Sequence, residues 1–281
     1  MPNAEYFAAT DMRQALRLLT ERGDQITILA GGTDLVPLMN SRELRPQALF
    51  YIGKLGLNYI AARDGGLAIG AATTLEEIVN NPLVIERAPV LAHTALEMGH
   101  PAIRNMATIG GNVAMPSRAA DMPPPLLALD AEVVLVSERG ERVVPIGEFL
   151  KQSRKTRRLP DELLTEIRIP PQKGRTAFVR LARRKVFACC IASAAVRMEL
   201  DGDKCADLRI VAGSMAPTAL RCVAAEAILR GNALTSARIS EASTQALAEC
   251  KPIDDERASA WYRRHVIELL VTRAINQAAS L

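Results

Sequence analysis

The 281-residue sequence predicts an α+β protein of two domains, the first of which has two lobes. Up to residue 172, short apolar runs alternate with helical patterns and glycine turns, and some of these runs are paired as hairpins. After Pro170-Pro171 the pattern changes to three strands in succession followed by three helices. We therefore expect a first domain at residues 1–172, with lobes at about 1–56 and 57–172, and a second at 173–281 with a three-stranded antiparallel sheet and helices packed on it.

The first lobe is predicted to start with a helix over residues 10–22. Thr10-Asp11 is a typical helix cap, and it precedes apolar residues at helical spacing, namely Met12, Ala15, Leu16 and Leu19. Two short apolar runs, at residues 26–30 and 49–52, have the composition of buried strands. The lobe should therefore contain helix, strand, loop and strand in that order.

The second lobe is predicted to contain two hairpins and a further strand. The first hairpin turns at Asp64-Gly65-Gly66, because a glycine pair after aspartate favours positive backbone angles. The second turns at Arg139-Gly140, and the strand covers residues 163–169.

Between the hairpins, Thr74 should cap a helix over residues 75–80, and a longer helix should cover residues 83–98 and end before Pro101. We expect residues 103–121 to be extended and rich in turns.

The second domain should contain an antiparallel sheet because Asp201-Gly202-Asp203 forms a suitable turn between two apolar runs. The predicted strands cover residues 176–182, 190–200 and 205–211. The predicted helices cover residues 218–229, 235–250 and 254–279.

Composition excludes several classes of protein. Net charge is +4, aromatic residues are 4% of the chain, and the densest basic run, Arg154–Arg158, lacks interleaved aromatic residues. We interpret that run as a solvated loop and expect no nucleic-acid partner. The five cysteines show no C-x-x-C spacing and the three histidines are scattered, so no metal site is predicted. With no signal peptide and no apolar run long enough to span a bilayer, the sequence predicts a soluble, cytoplasmic protein.

Two bends that combine a glycine pair with a threonine are the main candidates for a ligand site. The first is Gly31-Gly32-Thr33, and the second, Thr108 to Gly111, has the reverse order. Because glycine lacks a Cβ atom, backbone amides at such bends can approach an anion closely. One such bend is most often an ordinary turn, but two suggest an extended ligand held from two sides.

With their flanking segments, the bends resemble the FAD-binding subunit of the molybdenum-containing hydroxylases. This family includes xanthine dehydrogenase, carbon monoxide dehydrogenase and 4-hydroxybenzoyl-CoA reductase, and the resemblance covers nearly the whole chain. It is carried by Leu29–Leu35, Ile103–Asn105, Ala107–Asn112, Asp121, Asp161–Leu164, Ile169-Pro170, Pro217, Leu220-Arg221, Glu226 and Tyr262-Arg263-Arg264.

The resemblance implies a two-lobed FAD-binding domain of the PCMH type and an oxidoreductase subunit that carries FAD. In this family a large molybdopterin-binding subunit and a small subunit with two-iron two-sulfur clusters are separate chains. The FAD would pass electrons between those clusters and an external acceptor such as NAD, a quinone or a cytochrome. No side chain is assigned a catalytic role, because the flavin itself is the reacting group.

The resemblance also implies a set of cofactor-binding residues. They are Leu29, Ala30, Gly31, Gly32, Thr33, Asp34, Leu35, Ile103, Thr108, Ile109, Gly110, Gly111, Asn112, Asp121, Leu164 and Arg180.

The amides of residues 30–35 would form the main phosphate cradle. Asp34 would hold the loop or bind a ribose hydroxyl, and Asp121 would accept a bond from a sugar hydroxyl or a backbone amide. For Asn112 and Asp121, an ordinary turn-stabilising role is the alternative.

Leu164 would pack on the edge of the flavin or adenine, or serve simply as strand core. Arg180 replaces the usual lysine of the family and would place a cation beside the flavin's reducible ring. Ala188 stands where an aspartate is common.

Two other functions remain open from the sequence. One is a stand-alone flavin oxidase or reductase of the wider FAD-binding superfamily, and the other is a non-catalytic assembly module whose glycine bends are only turns. The sequence contains no G-x-x-x-x-G-K-[ST], no G-x-G-x-x-G after a strand and no G-x-S-x-G.

Overall fold

The structure is a computed structural model that describes residues 4–184 and 188–280. Its first lobe is a three-stranded parallel sheet with helices. The elements are β1 (Glu5–Ala8), α1 (Met12–Arg22), a 3₁₀ turn (Gly23–Gln25), β2 (Ile26–Leu29), α2 (Leu35–Asn40) and β3 (Ala48–Tyr51). β3 lies between β1 and β2, and it places Phe50 in the centre of the lobe's core.

The predicted helix and strands of this lobe are confirmed. The Asp11 carboxylate caps α1 by accepting a hydrogen bond from the Gln14 amide at 2.9 Å. β1 and α2 were not predicted: β1 begins with the exposed residues Glu5 and Tyr6, and α2 contains Pro37, so neither has a clear periodic pattern.

The second lobe is built on a five-stranded antiparallel sheet in the order β4-β5-β10-β6-β7. Its strands are β4 (Ile60–Arg63), β5 (Gly66–Gly70), β6 (Glu132–Ser137), β7 (Gly140–Pro145) and β10 (Leu163–Ile169), with a small ribbon of β8 (Leu150–Gln152) and β9 (Lys155–Thr156). Both predicted hairpins are confirmed, and Asp64 and Gly65 have the expected positive φ angles of 48° and 79°. β10 lies between the two hairpins and joins them into one sheet.

The helices of this lobe differ from the prediction in two places. They are α3 (Leu75–Asn80), α4 (Pro82–Arg87), α5 (Pro89–Glu97), α6 (Pro101–Arg104), α7 (Ile109–Ala114), α8 (Pro123–Ala128) and α9 (Ile146–Phe149). The single helix predicted over residues 83–98 is wrong: it divides at Ala88, because Pro89 disfavours helical geometry in the residue before it. The prediction that residues 103–121 are extended is also wrong, since Thr108 caps a helix there.

The last hundred residues form a four-stranded antiparallel sheet with helices. The elements are β11 (Arg175–Ala182), β12 (Cys190–Asp201), β13 (Lys204–Gly213), β14 (Leu220–Arg221), α10 (Val223–Leu229), α11 (Ser236–Glu249) and α12 (Ala260–Ser280). The three predicted strands are present, and β14 is an additional strand in a segment predicted as helix. It forms because Leu220 and Arg221 pair with the edge of β13. The α+β class is confirmed, while the division between residues 172 and 173 stays a prediction.

Among the described helices, none combines the length and the apolar character that crossing a bilayer requires.

Candidate functional site

The two predicted glycine bends line the same cavity, which has a volume of about 330 Å³. They are in direct contact, because a Cβ atom added to Gly31 would overlap the carbonyl oxygen of Met106, just before the second bend. The predicted residues that line this cavity are Ala30, Gly31, Gly32, Thr33, Asp34, Leu35, Thr108, Gly110, Gly111, Asn112 and Leu164.

The first bend provides hydrogen-bond donors that the protein itself leaves unused. Among the described residues, no acceptor is recorded for the backbone amides of residues 31–35, whereas the next amide, that of Val36, donates to the Gly32 oxygen at 2.9 Å. Gly32 has a φ of +72°, which glycine adopts without strain. Since amides away from water are nearly always paired, a run of five such donors at a cavity wall is suited to an anion.

The second bend is different, because its amides are already paired. The amides of Ile109 and Gly110 donate to the carbonyl oxygens of Thr73 and Ala71, at 3.0 and 2.9 Å. Those of Gly111 and Asn112 donate to the hydroxyl and carbonyl oxygens of Thr108, both at 3.0 Å. The expectation that both glycine pairs present free amides is therefore wrong. Gly110 and Gly111 belong to the first turn of α7, and they line the cavity without a side chain that would fill it.

Three of the predicted site residues do not line the cavity. Ile109 is fully buried in the core of the second lobe. Ile103 lies on α6 and is 38% exposed. Leu29 is the last residue of β2, and its side chain packs beside Gly32.

Asp121 and Arg180 also lie outside the cavity lining, where they form a buried pair. The Asp121 Oδ2 and Arg180 Nη2 atoms are 3.4 Å apart, and each side chain is 7% exposed. Arg180 donates its hydrogen bonds to the carbonyl oxygens of Glu97 at 2.6 Å and Ala188 at 2.7 Å. Burial raises the pKa of Asp121 to about 6, and the charge of Arg180 offsets this effect only in part.

This pair is connected to the cavity through Asn112. The Asn112 Oδ1 atom accepts a hydrogen bond at 3.4 Å from the amide of Met122, the residue that follows Asp121. The Asp121 Oδ1 and Arg180 Nε atoms have no hydrogen-bond partner among the described residues. Buried polar atoms in proteins are usually paired, so these two atoms are exceptions.

Asp34 and Leu164 each had two predicted roles. The Asp34 carboxylate makes no capping hydrogen bond to α2, and no other hydrogen bond to it is recorded within the described residues, so a role in holding the loop has no support. Loss of surrounding water raises the pKa of Asp34, and the charge of Arg154 opposes this. Leu164 is 4% exposed, lines the cavity and belongs to the core of the second lobe, so the structure accommodates both of its roles.

Sequence reasoning missed several residues that line the cavity. Ile26, Thr27 and Ile28 of β2 and Leu163 of β10 adjoin residues that were predicted, so their strand neighbours were the available signal. Arg158 was missed because it lies in a basic run that was interpreted as a solvated loop. The structure instead places it at the cavity, so that interpretation is wrong for Arg158.

The described residues contain no group of three or more histidine, cysteine, aspartate or glutamate residues that could hold a metal ion.

Comparisons with known proteins match both parts of the chain to families. The family described as FAD binding domain in molybdopterin dehydrogenase matches residues 2–172, and the CO dehydrogenase flavoprotein C-terminal domain matches residues 177–278.

Individual relatives match over almost their whole length. The chain is 37% identical to the 6-hydroxypseudooxynicotine dehydrogenase complex subunit alpha of Paenarthrobacter nicotinovorans, with 99% of this chain and 95% of that protein covered. It is 31% identical to a putative xanthine dehydrogenase FAD-binding subunit of Escherichia coli K12, with 99% and 96% covered. A solved structure of carbon monoxide dehydrogenase from Hydrogenophaga pseudoflava matches with a TM-score of 0.96 at 34% identity, with 99% and 98% covered.

Proposed function

Because this chain belongs to the family of FAD-binding subunits of molybdenum hydroxylases, we propose that its cavity holds one FAD, with the diphosphate at the loop of residues 31–35. The observation that carries this placement is the run of five amides without a recorded acceptor in the described protein. Hydrogen bonds from amides to a charged oxygen contribute about 1.5–3 kcal/mol each. No long side chain is needed, because the glycines let the backbone approach the phosphates.

The rest of the cofactor would extend from this loop in both directions. Asn112 connects the cavity to the Asp121–Arg180 pair, so the flavin ring would lie toward that end, where the Arg180 cation favours negative charge on the reduced ring. The free carboxylate of Asp34 would accept a hydrogen bond from a ribose hydroxyl. The apolar residues Leu163 and Leu164 would exclude water from the cofactor.

When bound, FAD supplies the ability to accept electrons one at a time and to release them in pairs. The chain is thus the electron-transfer component of an oxidoreductase, and its residues bind and orient the flavin. One relative is named as a subunit of a dehydrogenase complex, and another as a putative FAD-binding subunit of xanthine dehydrogenase. We place this chain beside a large molybdopterin-binding subunit and a small two-iron two-sulfur subunit, in the cytoplasm, with NAD, a quinone or a cytochrome as external acceptor.

The first test is the flavin content of the purified protein. We expect a yellow protein with one FAD per chain, measured by its absorbance spectrum and by chromatography of the released cofactor. A colourless protein that takes up no added FAD would contradict the proposal. Turnover of a small substrate by the isolated chain would instead favour a stand-alone flavin enzyme.

Substitution of Gly111 distinguishes a binding site from an ordinary turn. Apart from its chain neighbours and the backbone of its own helix, the described residues place only the Thr108 hydroxyl oxygen within 4 Å of an added Cβ, at 2.9 Å. Because Gly111 lines the cavity, a larger side chain there would occupy it. We expect Gly111→Val to weaken FAD binding by at least tenfold, with Gly111→Ala between it and the wild type. Alanine and valine both have a higher helix propensity than glycine, so stability should not fall for this reason.

Calorimetric titration of FAD into the flavin-free protein measures this effect, and circular dichroism verifies the fold. Equal affinities for the wild type and Gly111→Val would show that the second bend is only a turn.

A further inference from the structure

Arg158 is a cation at the cavity that is held rigidly by the backbone around it. Its Nη1 atom donates hydrogen bonds to the carbonyl oxygens of Leu159 at 2.9 Å, Pro160 at 3.1 Å and Glu162 at 2.7 Å. The same loop packs tightly on the first lobe, since a Cβ atom added to Gly23 would overlap the Pro160 oxygen. One end of the guanidinium is therefore fixed.

The other donors of Arg158 are not used by neighbouring acids. The Glu162 carboxylate is bound by Arg142 at 2.6 and 2.8 Å, and Asp161 is paired with Arg139. Among the described residues, no partner is recorded for the Nε and Nη2 atoms of Arg158. Burial lowers the pKa of Arg158, although the negative charges of Glu162 and Asp161 act to raise it. This direction agrees with a guanidinium that is partly removed from water.

The end of the cavity that contains Arg158 is apolar. Glu162, which accepts a hydrogen bond from Arg158, is followed directly by Leu163, and Leu163 packs in one cluster with Ile26 and Ile52. All three apolar residues line the cavity. The Asp121–Arg180 pair adjoins the cavity through Asn112, on the side of the second bend.

A planar guanidinium beside apolar walls matches a flat aromatic heterocycle better than a hydrated phosphate. Guanidinium groups stack on aromatic faces, and desolvation strengthens this contact. The unpaired amides of residues 31–35 already provide donors for the phosphates. With the flavin ring placed toward Asn112, the ring at the Arg158 end would be that of the adenosine half.

We propose that the guanidinium of Arg158 stacks on the adenine ring of FAD and positions the adenosine half of the cofactor. This inference rests on the proposed function, because it assumes FAD in the cavity. It makes Arg158 a residue that selects FAD over FMN, which lacks the adenosine half.

The test compares FAD and FMN binding to flavin-free protein by calorimetric titration. We expect Arg158→Ala to raise the Kd for FAD by about three- to thirtyfold and to leave the Kd for FMN within about twofold. Arg158→Lys retains a charge and donors for the three carbonyl oxygens but lacks the planar group, so it should fold and still lose most of the FAD preference. Arg157→Ala is the matched control, because Arg157 is the exposed neighbour in the same basic run.

Each outcome separates the inference from the function on which it rests. A wild type that binds no FAD would overturn the proposed function together with this inference. If the wild type binds FAD and the Arg158→Ala variant binds it with the same affinity, the role of Arg158 alone would be overturned. Wild-type FAD affinity in Arg158→Lys would show that a point charge is enough, and would overturn the stacking. Equal losses of FAD and FMN affinity in Arg158→Ala would show a structural role, and would overturn it as well.

Discussion

Gly31→Ala is expected to remove FAD binding almost completely. The added methyl group would overlap the carbonyl oxygen of Met106, a backbone atom that moves only if the two segments lining the cavity separate. Overpacking of this kind costs roughly 1–3 kcal/mol of stability. Displacing the loop would also lose at least two of the amide–phosphate hydrogen bonds, so affinity should fall by about a hundredfold or more. Titration with FAD and thermal unfolding measure the two effects.

Gly147→Ala is the matched control for this substitution. Gly147 lies in α9, is exposed, and an added Cβ would meet only the flexible Leu127 side chain at 3.1 Å. Alanine is favoured over glycine in a helix, so stability should be unchanged or slightly higher and FAD affinity should not change. Wild-type FAD affinity in Gly31→Ala would show that the loop of residues 31–35 does not hold the diphosphate.

Asp255→Ala is expected to cause the largest loss of stability. Arg263 is fully buried, and its Nη2 atom donates to the Asp255 carboxylate at 2.6 Å. Arg257 binds the same carboxylate at 2.5 Å. Removal of the carboxylate leaves a buried charge without a partner, which costs about 3–5 kcal/mol. Thermal unfolding should show a Tm lower by roughly 5–9 °C.

Two variants verify that the buried charge is the cause. Glu256→Ala removes a neighbouring carboxylate that is 85% exposed, and its effect should stay within about 0.5 kcal/mol. The double variant Asp255→Ala with Arg263→Met should recover much of the lost stability, since an apolar side chain needs no counter-charge. A double variant no more stable than Asp255→Ala would contradict this explanation.

The hydrogen bonds from Arg257 and Arg263 to the Asp255 carboxylate also predict how stability depends on pH. Burial alone would raise the pKa of Asp255, but hydrogen bonds from Arg257 and Arg263 outweigh it and hold this pKa far below its ordinary value. Because the folded pKa lies below the unfolded value of about 3.9, the contribution is present above about pH 4 and is lost as the pH falls toward the folded pKa. The Tm difference between wild type and Asp255→Ala should therefore shrink below pH 4.

Local signals predicted the parts of the fold that depend on a few neighbouring residues. The turn at Asp64-Gly65-Gly66 and the caps Asp11 and Thr74 were all found as predicted. The failures occurred where local signals compete. Thr108 was interpreted as part of an extended bend, yet its hydroxyl caps α7 by accepting a hydrogen bond from the Gly111 amide. The Gly110 amide pairs with Ala71 on a different segment, which no local signal predicts.

The sequence by itself determined the α+β class, the strands and turns of both hairpins, and the two segments that line one cavity. Only the tertiary structure decided that the first of these segments keeps unpaired amides while the second has none, and that Arg158 lies at the cavity while Ile109 lies in the core. The physical reason is the range of the interactions. Turns and caps are hydrogen bonds between near neighbours in the chain, whereas a free amide or a ligand-facing side chain depends on which distant segments pack against it.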